Sequence, residues 1–504
     1  MADTTLRLYA GVPLTRDNLN FLNNFTSESQ QLSVFGAYQV KEYGTGADPL
    51  APIRRSFNSI VVDSPIEEVD NVNYMTFKNG SSQRYWCFVT DVVYESESSS
   101  RVYFEIDYMT TWYLSIDFSK SSLIEREHVA DDTIGLHLVD ENITTGEYTI
   151  RSTDTILDLN PLAILVSSSW NPNTNSDVVG DNYSGIYSGT ALFAFDRITG
   201  ITALNLFLLD VVADNKADAI TSIFMIPKNL LPSFSDGDQI SVPNSLTIDF
   251  NYNKNTTDID GYTPKNNKLF VYPYNFLYVT NHNGLAAEYH YEYSSQANMQ
   301  FYATCNVTPN PVVALVPKQY KGAFANFDEI LRIADYPQCS WTIDSFLQYV
   351  ASAAVSTPVN VAGALALGAV TGGVGAVAAV PSVVNAITGG VQAARQPNQV
   401  RGSITGGGNT GIGIQTFGFY PKTIRAEHAR IIDDMFTKFG YRVNRLSAIN
   451  VNKRPKFDYI KTIDCNIQGS IPSKDLQEIR NMFNKGVTFW HTTDVGNYDV
   501  VNAP

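Results

Sequence analysis

Residues 345–421 are the part of the chain that most constrains its fold, because they lack the charges that an ordinary soluble surface carries. They hold two charged side chains, Arg395 and Arg401, and their first 50 residues hold none. They also contain 14 of the 33 glycines. Segments of this length without a secondary-structure pattern are usually functional or disordered. We call residues 345–421 the insert and expect the folded cores to form from the chain on either side of it.

The centre of the insert, residues 359–380, reads VNVAGALALGAVTGGVGAVAAV and lies between Pro358 and Pro381. Its length would suffice for one helical crossing of a bilayer. However, Ala, Gly and Val give a weak drive into lipid, and the glycines weaken a helix. The glycine-rich residues 402–413 have a linker composition. Two hypotheses remain open: an apolar loop that stays disordered or packed against subunits, or a segment shielded from water in one state and delivered to a membrane in another.

The flanks of the insert differ in charge. Residues 1–344 contain 20 basic and 41 acidic side chains, residues 422–504 contain 13 and 9, and the whole chain has a formal net charge of −15. Proteins that grip nucleic acid need a basic surface to neutralise phosphates, so this balance argues against such a protein. With 44% hydrophobic residues, most of the chain is not intrinsically disordered.

The first residues of the chain and the spacing of its cysteines indicate the cellular compartment and the redox state of the thiols. No charged stretch followed by an apolar run is visible at the start, so synthesis in a cytosol is expected. Cys87, Cys305, Cys339 and Cys465 are widely separated and form no metal-binding or disulfide spacing. We therefore expect four reduced thiols, most of them buried.

Residues 1–344 read mainly as β-strands. Residues 84–94 and 101–109 are aromatic and β-branched runs around a polar loop, which predicts a hairpin. In the second run, Val102, Phe104, Ile106 and Tyr108 would share one face. A helix is predicted from about Thr202. The other predictions are strands at 162–167, 185–195, 220–226, 268–279, 288–293 and 300–307, a short helix at 327–334, and a polar loop at 251–267.

Residues 422–504 show a different pattern. Apolar side chains at helical spacing predict a helix capped by Thr423 and stopped by Gly440, and a second helix capped by Ser473 and ended at Gly486. Strands are predicted at 457–467 and 487–491. This alternation predicts a small α+β unit packed on its own sheet.

The densest ionisable cluster contains Glu125, Glu127, His128, Asp131 and Asp132. Carboxylates beside a histidine suit metal binding or acid–base hydrolysis, and a wall-degrading enzyme is one hypothesis. However, Arg126 lies inside the cluster and favours a salt-bridged or loop-capping role.

A second group, Glu288, His290 and Glu292, would lie on one face of a strand. A solvated face or a subunit contact is favoured there over a metal site. Phosphate-loop, nucleophile-elbow and zinc-protease motifs are absent from the sequence. We predict a protein that is not an enzyme, with no catalytic, metal or cofactor-binding residue.

Several motifs in order resemble one family. They are LRLYAGVPL at 6–14, FEIDYMTTW at 104–112, LIEREHVADD at 123–132, KLFVYPYNFL at 268–277, TNHNG at 280–284, NP at 310–311 and VPKQY at 316–320, followed by the insert and the α+β end. The chain thus resembles the tail knob, or distal tail tube, proteins of small short-tailed bacteriophages of Gram-positive hosts, the Salas-type and related picoviruses. The chain is short for that family, which implies a missing or reduced peripheral domain.

The resemblance implies a mainly β fold, with barrel or sandwich tube-forming domains, the long apolar insert and the C-terminal α+β unit. It implies six copies that form a tube at the tip of the virion tail, contact other tail and collar proteins, and let double-stranded DNA pass without specific binding. The insert would plug the lumen and leave it to penetrate the host cytoplasmic membrane. A purely structural or receptor-binding tail protein without membrane activity is the alternative.

Four segments follow from this interpretation: an N-terminal tube domain (1–118), further β-rich tube or peripheral domains (119–344), the insert (345–421) and the C-terminal segment (422–504). The expected membrane-active residues lie in the centre of the insert: Val359, Val361, Ala364, Leu365, Leu367, Gly368, Val370, Gly372, Gly373, Val374, Val377 and Val380.

Overall fold

The computed structural model describes residues 4–17, 19–44, 50–151, 155–178, 182–183, 186–187, 189–214, 216–241, 246–308, 311–321, 330–334, 336, 338–340 and 415–503. Most of the insert, with all twelve predicted membrane-active residues, lies outside the described residues.

In the described residues, strands greatly outnumber helices. The strands are β1 (Thr4–Ala10), β2 (Asn20–Leu22), β3 (Gln39–Tyr43), β4 (Ser59–Val62), β5 (Val72–Asn79), β6 (Arg84–Ser96), β7 (Ser99–Ile106), β8 (Ile116–Asp117), β9 (Ser121–Glu127), β10 (Tyr148–Ile150), β11 (Ile156–Asp158), β12 (Leu162–Ser168), β13 (Trp170–Asn171), β14 (Ser176–Asp177), β15 (Asn182–Tyr183), β16 (Ile186–Tyr187), β17 (Ala191–Asp196), β18 (Ile220–Pro227), β19 (Asp238–Ile240), β20 (Leu246–Asn253), β21 (Asn275–Thr280), β22 (Ala286–Tyr289), β23 (Asn298–Cys305), β24 (Val313–Lys318), β25 (Leu331–Ile333), β26 (Gln338–Ser340), β27 (Thr416–Ile424), β28 (Tyr441–Ala448), β29 (Phe457–Asp464), β30 (Gln468–Gly469) and β31 (Val487–Trp490).

The α-helices are α1 (Glu28–Gly36), α2 (Ile66–Val69), α3 (Tyr108–Trp112), α4 (Ile201–Ala213), α5 (Ala426–Phe439) and α6 (Ser473–Lys485). Short 3-10 helices occupy Tyr113–Ser115, Ala217–Ala219, Lys228–Leu230, Asn267–Phe270 and Tyr291–Tyr293. The predicted mainly β fold is confirmed. Among the described residues, no helix is both long enough and apolar enough to span a membrane.

The chain folds into two compact units. Unit 1 comprises residues 1–147, 258–274 and 424–504, and unit 2 comprises residues 148–257 and 275–423. Each unit is thus assembled from stretches that are far apart in sequence.

Unit 1 contains a six-stranded sheet in the order β3-β1-β5-β6-β7-β4 and a five-stranded sheet in the order β2-β31-β29-β9-β28. The predicted hairpin is β6 and β7, and Val102 and Phe104 are buried as expected. The second strand ends earlier than predicted, because Tyr108 starts α3. Asp107 caps this helix by accepting a hydrogen bond from the Thr110 N–H at 3.0 Å.

The C-terminal segment has the predicted helices. Gly440 and Gly486 follow α5 and α6, and each has a positive φ angle. Both predicted caps were wrong, because Thr423 lies in β27 with Arg425 preceding α5, and Ser473 is the first residue of α6 with Pro472 preceding it. The prediction of a separate sheet was also wrong. β29 pairs with β9, and β31 pairs in parallel with β2, so N-terminal residues complete this sheet.

Unit 2 contains three larger sheets: β19-β17-β12-β18-β26, β10-β27-β21-β22 with β11 also on β27, and β20-β23-β24-β25. One apolar cluster joins them, and β12 contributes a nearly continuous buried run from Leu162 to Val166. The helix predicted from Thr202 is confirmed as α4.

Several predicted strands end or break earlier than expected. A strand was predicted at 268–279, but the first of these residues form a 3-10 helix. A strand was also predicted at 288–293, but β22 ends at Tyr289. A short helix was predicted at 327–334. This was wrong for Leu331–Ile333, because these residues form strand β25 and pair with β24. Part of the predicted 251–267 loop lies in β20. Cys87, Cys305 and Cys465 are free and buried, as predicted.

Candidate functional site

The points at which the insert leaves and rejoins the fold both lie in unit 2, and they are the candidate functional site. We call β25 and β26 the entry stem, and residues 415–423 the exit stem. The last residues of the predicted insert are therefore folded, since β27 begins at Thr416.

The exit stem is a strand with partners on both sides. β27 pairs with β21 from Asn275↔Thr423 to Thr280↔Gly418, and with β11 from Ile156↔Gly418 to Asp158↔Thr416. Hydrogen bonds extend this pairing, because Gln415 donates its N–H to Asn160 Oδ1 at 3.0 Å and accepts from the Leu159 N–H at 2.8 Å. The backbone is thus held from Gln415, where the described part of the chain resumes.

Aromatic packing fixes the same strand. Phe417 and Phe419 are fully buried. The ring of Phe419 lies 4.4 Å from that of Phe250 and 5.3 Å from that of Phe301, centroid to centroid. Aromatic pairs at such distances add to the free energy gained from burial alone. The exit stem is therefore part of the core of unit 2.

A histidine holds the start of the exit stem. The ring nitrogens of His282 share hydrogen bonds with Thr416 Oγ1 at 3.0 Å and Tyr420 Oη at 2.9 Å. Gly418 makes this possible, because a Cβ there would lie 2.6 Å from the Tyr420 ring and 2.7 Å from the His282 ring. The TNHNG motif at 280–284 thus supplies a contact that the sequence alone did not reveal.

Lys422 anchors the C-terminal end of the exit stem through its side-chain contacts. Its ammonium lies 5.1–5.4 Å from the ring centroids of Phe276, Tyr148 and Tyr278. It also forms an ion pair of 2.7 Å with Glu288. Cation–π contacts and the ion pair together hold this side chain on the sheet surface.

In the part of the chain that the structure describes, the entry stem has fewer strand partners than the exit stem. β25 pairs with β24, and Leu331 and Ile333 are buried. β26 has three residues, lies at the edge of its sheet and pairs with β18, with Cys339 opposite Ile223. Among the described residues, eight of the exit stem (416–423) are thus paired within a sheet, whereas the entry stem ends in a short edge strand.

The predicted carboxylate cluster lies in unit 1 and is structural. Glu127 is buried and forms ion pairs with Arg445 and Lys453, while Glu125 pairs with Lys461 at 2.8 Å. Asp131 accepts a hydrogen bond from the Thr133 N–H at 2.9 Å, and Asp132 accepts one from the Asn267 N–H at 3.0 Å. The salt-bridged, loop-capping interpretation is therefore confirmed.

His128 has both ring nitrogens occupied. Nδ1 accepts from the Tyr459 N–H at 2.9 Å, and Nε2 donates to the Thr437 carbonyl at 3.1 Å. Burial lowers the pKa of this imidazole to about 4, so the ring is neutral at pH 7. A neutral, fully bonded histidine has no capacity left for proton transfer.

The second predicted group does not share a strand face. Glu288 lies in β22, but His290 follows the strand and Glu292 is in a 3-10 helix. His290 Nδ1 lies 3.8 Å from Glu292 Oε1, and burial lowers the pKa of His290. Within the part of the chain that the structure describes, no group of three His, Cys, Asp or Glu side chains could hold a metal ion.

Sequence reasoning missed a set of buried charges in unit 1. Glu141 contacts Arg126 and Lys268, and it accepts from the Arg442 N–H at 3.0 Å. Asp433 is fully buried and accepts from Tyr262 Oη at 2.7 Å and the Asn266 N–H at 3.0 Å. A charge directly before an apolar run was the available signal, as at Lys268 before Leu-Phe-Val.

Comparison with known proteins gives matches over both ends of the chain. Residues 241–503 match the family described as "Bacillus phage phi29, Tail knob protein gp9, C-terminal domain". Residues 2–117 match the family described as "Caudoviral major tail protein N-terminus".

Full-length relatives include the tail knob protein gp9 of Bacillus phage PZA, 26% identical, and that of Bacillus phage phi29, 23% identical. Both alignments cover 100% of this chain and 99% of the relative. The first alignment runs over 609 positions against 504 residues here, so the relative contains insertions. The solved structure of the bacteriophage C1 tail knob protein, gp12, has a TM-score of 0.65 over 99% of both chains at 12% identity, which shows a similar fold.

Proposed function

Because the chain belongs to the tail knob protein gp9 family of phi29-like phages, we propose that it forms the distal tube of the virion tail as a ring of six copies. It is a structural component of the phage tail and not an enzyme. In our proposal the ring is a conduit for DNA, and the insert plugs its lumen until the insert penetrates the host cytoplasmic membrane.

The position of the stems carries this proposal. Both ends of the insert are held in strands of unit 2, so its uncharged residues leave and rejoin one folded unit. On a monomer, such an apolar segment would be an unusually large exposed patch. Six inserts within a ring can bury one another, which would keep the assembled virion protein soluble.

The acidic character of the chain supports the proposed passage for DNA. The chain has a net charge of −15, and the residues before the insert contain 20 basic and 41 acidic side chains. An acidic passage repels the phosphate backbone and prevents DNA from adhering as it moves. The absence of ionisable groups from residues 345–394 lowers the cost of entering lipid.

Vesicle leakage tests the membrane role. Purified protein lacking residues 345–413 should assemble as the wild type does but release no dye from liposomes. The double variant Ala364→Asp/Gly372→Asp should lose most of the leakage, because two carboxylates would have to enter the hydrocarbon region.

A matched control places the same two charges outside the apolar centre. Gly406→Asp/Thr410→Asp should leak like the wild type. Equal leakage with and without the insert would contradict the membrane role, and would favour a purely structural or receptor-binding tail protein.

A further inference from the structure

Residues 131–141 of unit 1 form a surface loop whose apolar side chains point into solvent. Leu136 is 57% exposed, Leu138 is 44% exposed and Val139 is 36% exposed. Loops that connect elements usually carry polar side chains at such positions, and clustered exposed apolar residues mark interaction sites. We call residues 134–139 the Leu136 loop.

The backbone of the Leu136 loop is fixed by buried groups. The buried Lys268 donates to the Val139 carbonyl at 2.7 Å and pairs with the buried Glu141. His137 Nε2 donates to the Asp131 carbonyl at 2.7 Å, and its ring lies 5.4 Å from that of Tyr441. The loop is therefore held in one conformation before any partner binds, which lowers the entropic cost of docking.

The charges around the Leu136 loop indicate the kind of partner. Asp131 and Asp140, both exposed, flank it within the chain, whereas the buried Glu141 is neutralised by its contacts with Arg126 and Lys268. The negative charge of the two exposed aspartates disfavours the anionic surface of a bacterial membrane and the DNA backbone. A protein surface that combines an apolar group with a positive charge is the complementary partner.

The same chain has such a surface. Phe57 is 65% exposed, and the Arg54 guanidinium lies 5.6 Å from its ring centroid. The Phe57 N–H donates to the Arg54 carbonyl at 3.1 Å, and Arg55 is tied to the buried Asp475 at 2.9 Å, so this turn is also fixed.

We propose that the Leu136 loop of one copy docks onto the Arg54–Phe57 turn of a second copy. The two surfaces differ, so the contact is heterologous, and such a contact forms a ring when the rotation between neighbouring copies closes. This inference rests on the proposed ring and deepens it by naming the surfaces through which neighbouring copies meet.

Sedimentation of the full-length protein over a concentration series tests the contact. Leu136→Ser and Phe57→Ser should each raise the protein concentration needed for ring assembly at least tenfold. Ile198→Ser is the matched control, because Ile198 is also 57% exposed but lies in unit 2, and it should assemble normally. Circular dichroism and thermal melting verify that each variant is folded.

Charge exchange gives a second, independent readout. Asp140→Arg and Arg54→Asp should each weaken assembly, and the double variant should recover it. If folded Leu136→Ser protein assembles normally, or instead loses binding to anionic vesicles, this docking contact is wrong although the ring remains. A wild-type protein that stays monomeric at every concentration would instead contradict the ring itself.

Discussion

Among the described residues, unit 1 contains nine buried charged residues, whereas unit 2 buries mainly apolar and neutral polar ones, with the Glu292 side chain, 4% exposed, as an exception. The nine are Arg84, Asp107, Glu127, Glu141, Lys268, Asp433, Arg454, Asp458 and Asp475. Removing charges from water is costly unless each finds its partner. We infer that the ion pairs and hydrogen bonds of these residues determine how the three sequence stretches of unit 1 pack together. Glu141, for example, contacts Lys268 in the second stretch and Arg442 in the third.

Unit 2 depends on hydrophobic burial instead. The apolar cluster formed by its described residues extends from β11 to β27, and both stems of the insert contribute to it. Hydrophobic contacts are non-directional, so such a core tolerates conservative substitution better than a paired charge does. The comparison therefore predicts that the two units respond differently to mutation and to acid.

The largest effect is expected at Glu141. Glu141→Ala leaves Lys268 buried without its carboxylate partner, which should lower the free energy of unfolding by about 4 kcal/mol. Urea denaturation followed by tryptophan fluorescence measures this. Asp249→Ala is the control in unit 2, since its pair with Lys318 is exposed, and it should cost less than about 1 kcal/mol. Equal effects would remove the distinction between the units.

Acid should weaken unit 1 through His128. Burial lowers its pKa to about 4, whereas the unfolded chain has the ordinary value near 6.5. As pH falls from about 6.5 to about 4, the unfolded chain binds a proton that the folded protein does not, so stability is lost in that window. Relative to His128→Gln, the wild type should lose about 3 kcal/mol between roughly pH 7 and 4. Parallel pH profiles for the two proteins would show that His128 is not the cause.

Gly440 should be the next most sensitive position. Its φ is +64°, and a Cβ there would overlap the Glu127 carbonyl and the His128 backbone. We expect Gly440→Ala to lower the free energy of unfolding by about 2–3 kcal/mol. Gly261→Ala is the matched control, because Gly261 also has a positive φ of +82° but a Cβ there would have no atom within 4 Å. This variant should lower the free energy of unfolding by about 1 kcal/mol. Similar melting curves for both variants would rule out the steric contribution.

The smallest effect is expected in the core of unit 2. Phe419→Leu keeps an apolar side chain but loses the ring contacts with Phe250 and Phe301. The free energy of unfolding should fall by about 1 kcal/mol. A loss as large as that of Glu141→Ala would mean that unit 2 is as specifically packed as unit 1.

Local patterns in the sequence were enough to predict some elements. The β6–β7 hairpin and the glycines that end α5 and α6 follow from periodicity and capping preferences. Long-range pairing was not visible. The sheet of the C-terminal segment needs β9 and β2, which lie hundreds of residues earlier, and no short pattern encodes that choice.

The candidate site was predictable in one respect only. The near absence of charged residues identified the insert. It did not indicate that the insert ends in strand β27, or that His282 contacts the start of this strand. β27 contains Gly418 and Pro421, residues that disfavour strands when taken alone. Pairing on both sides and the burial of Phe417 and Phe419 outweigh that preference.

Electron microscopy of the purified protein, with and without residues 345–413, tests the central claim most directly. We predict hollow rings of six copies whose lumen contains density in the wild type and is empty in the deletion variant. Discrete monomers, or rings whose lumen looks the same in both proteins, would contradict a plugged conduit.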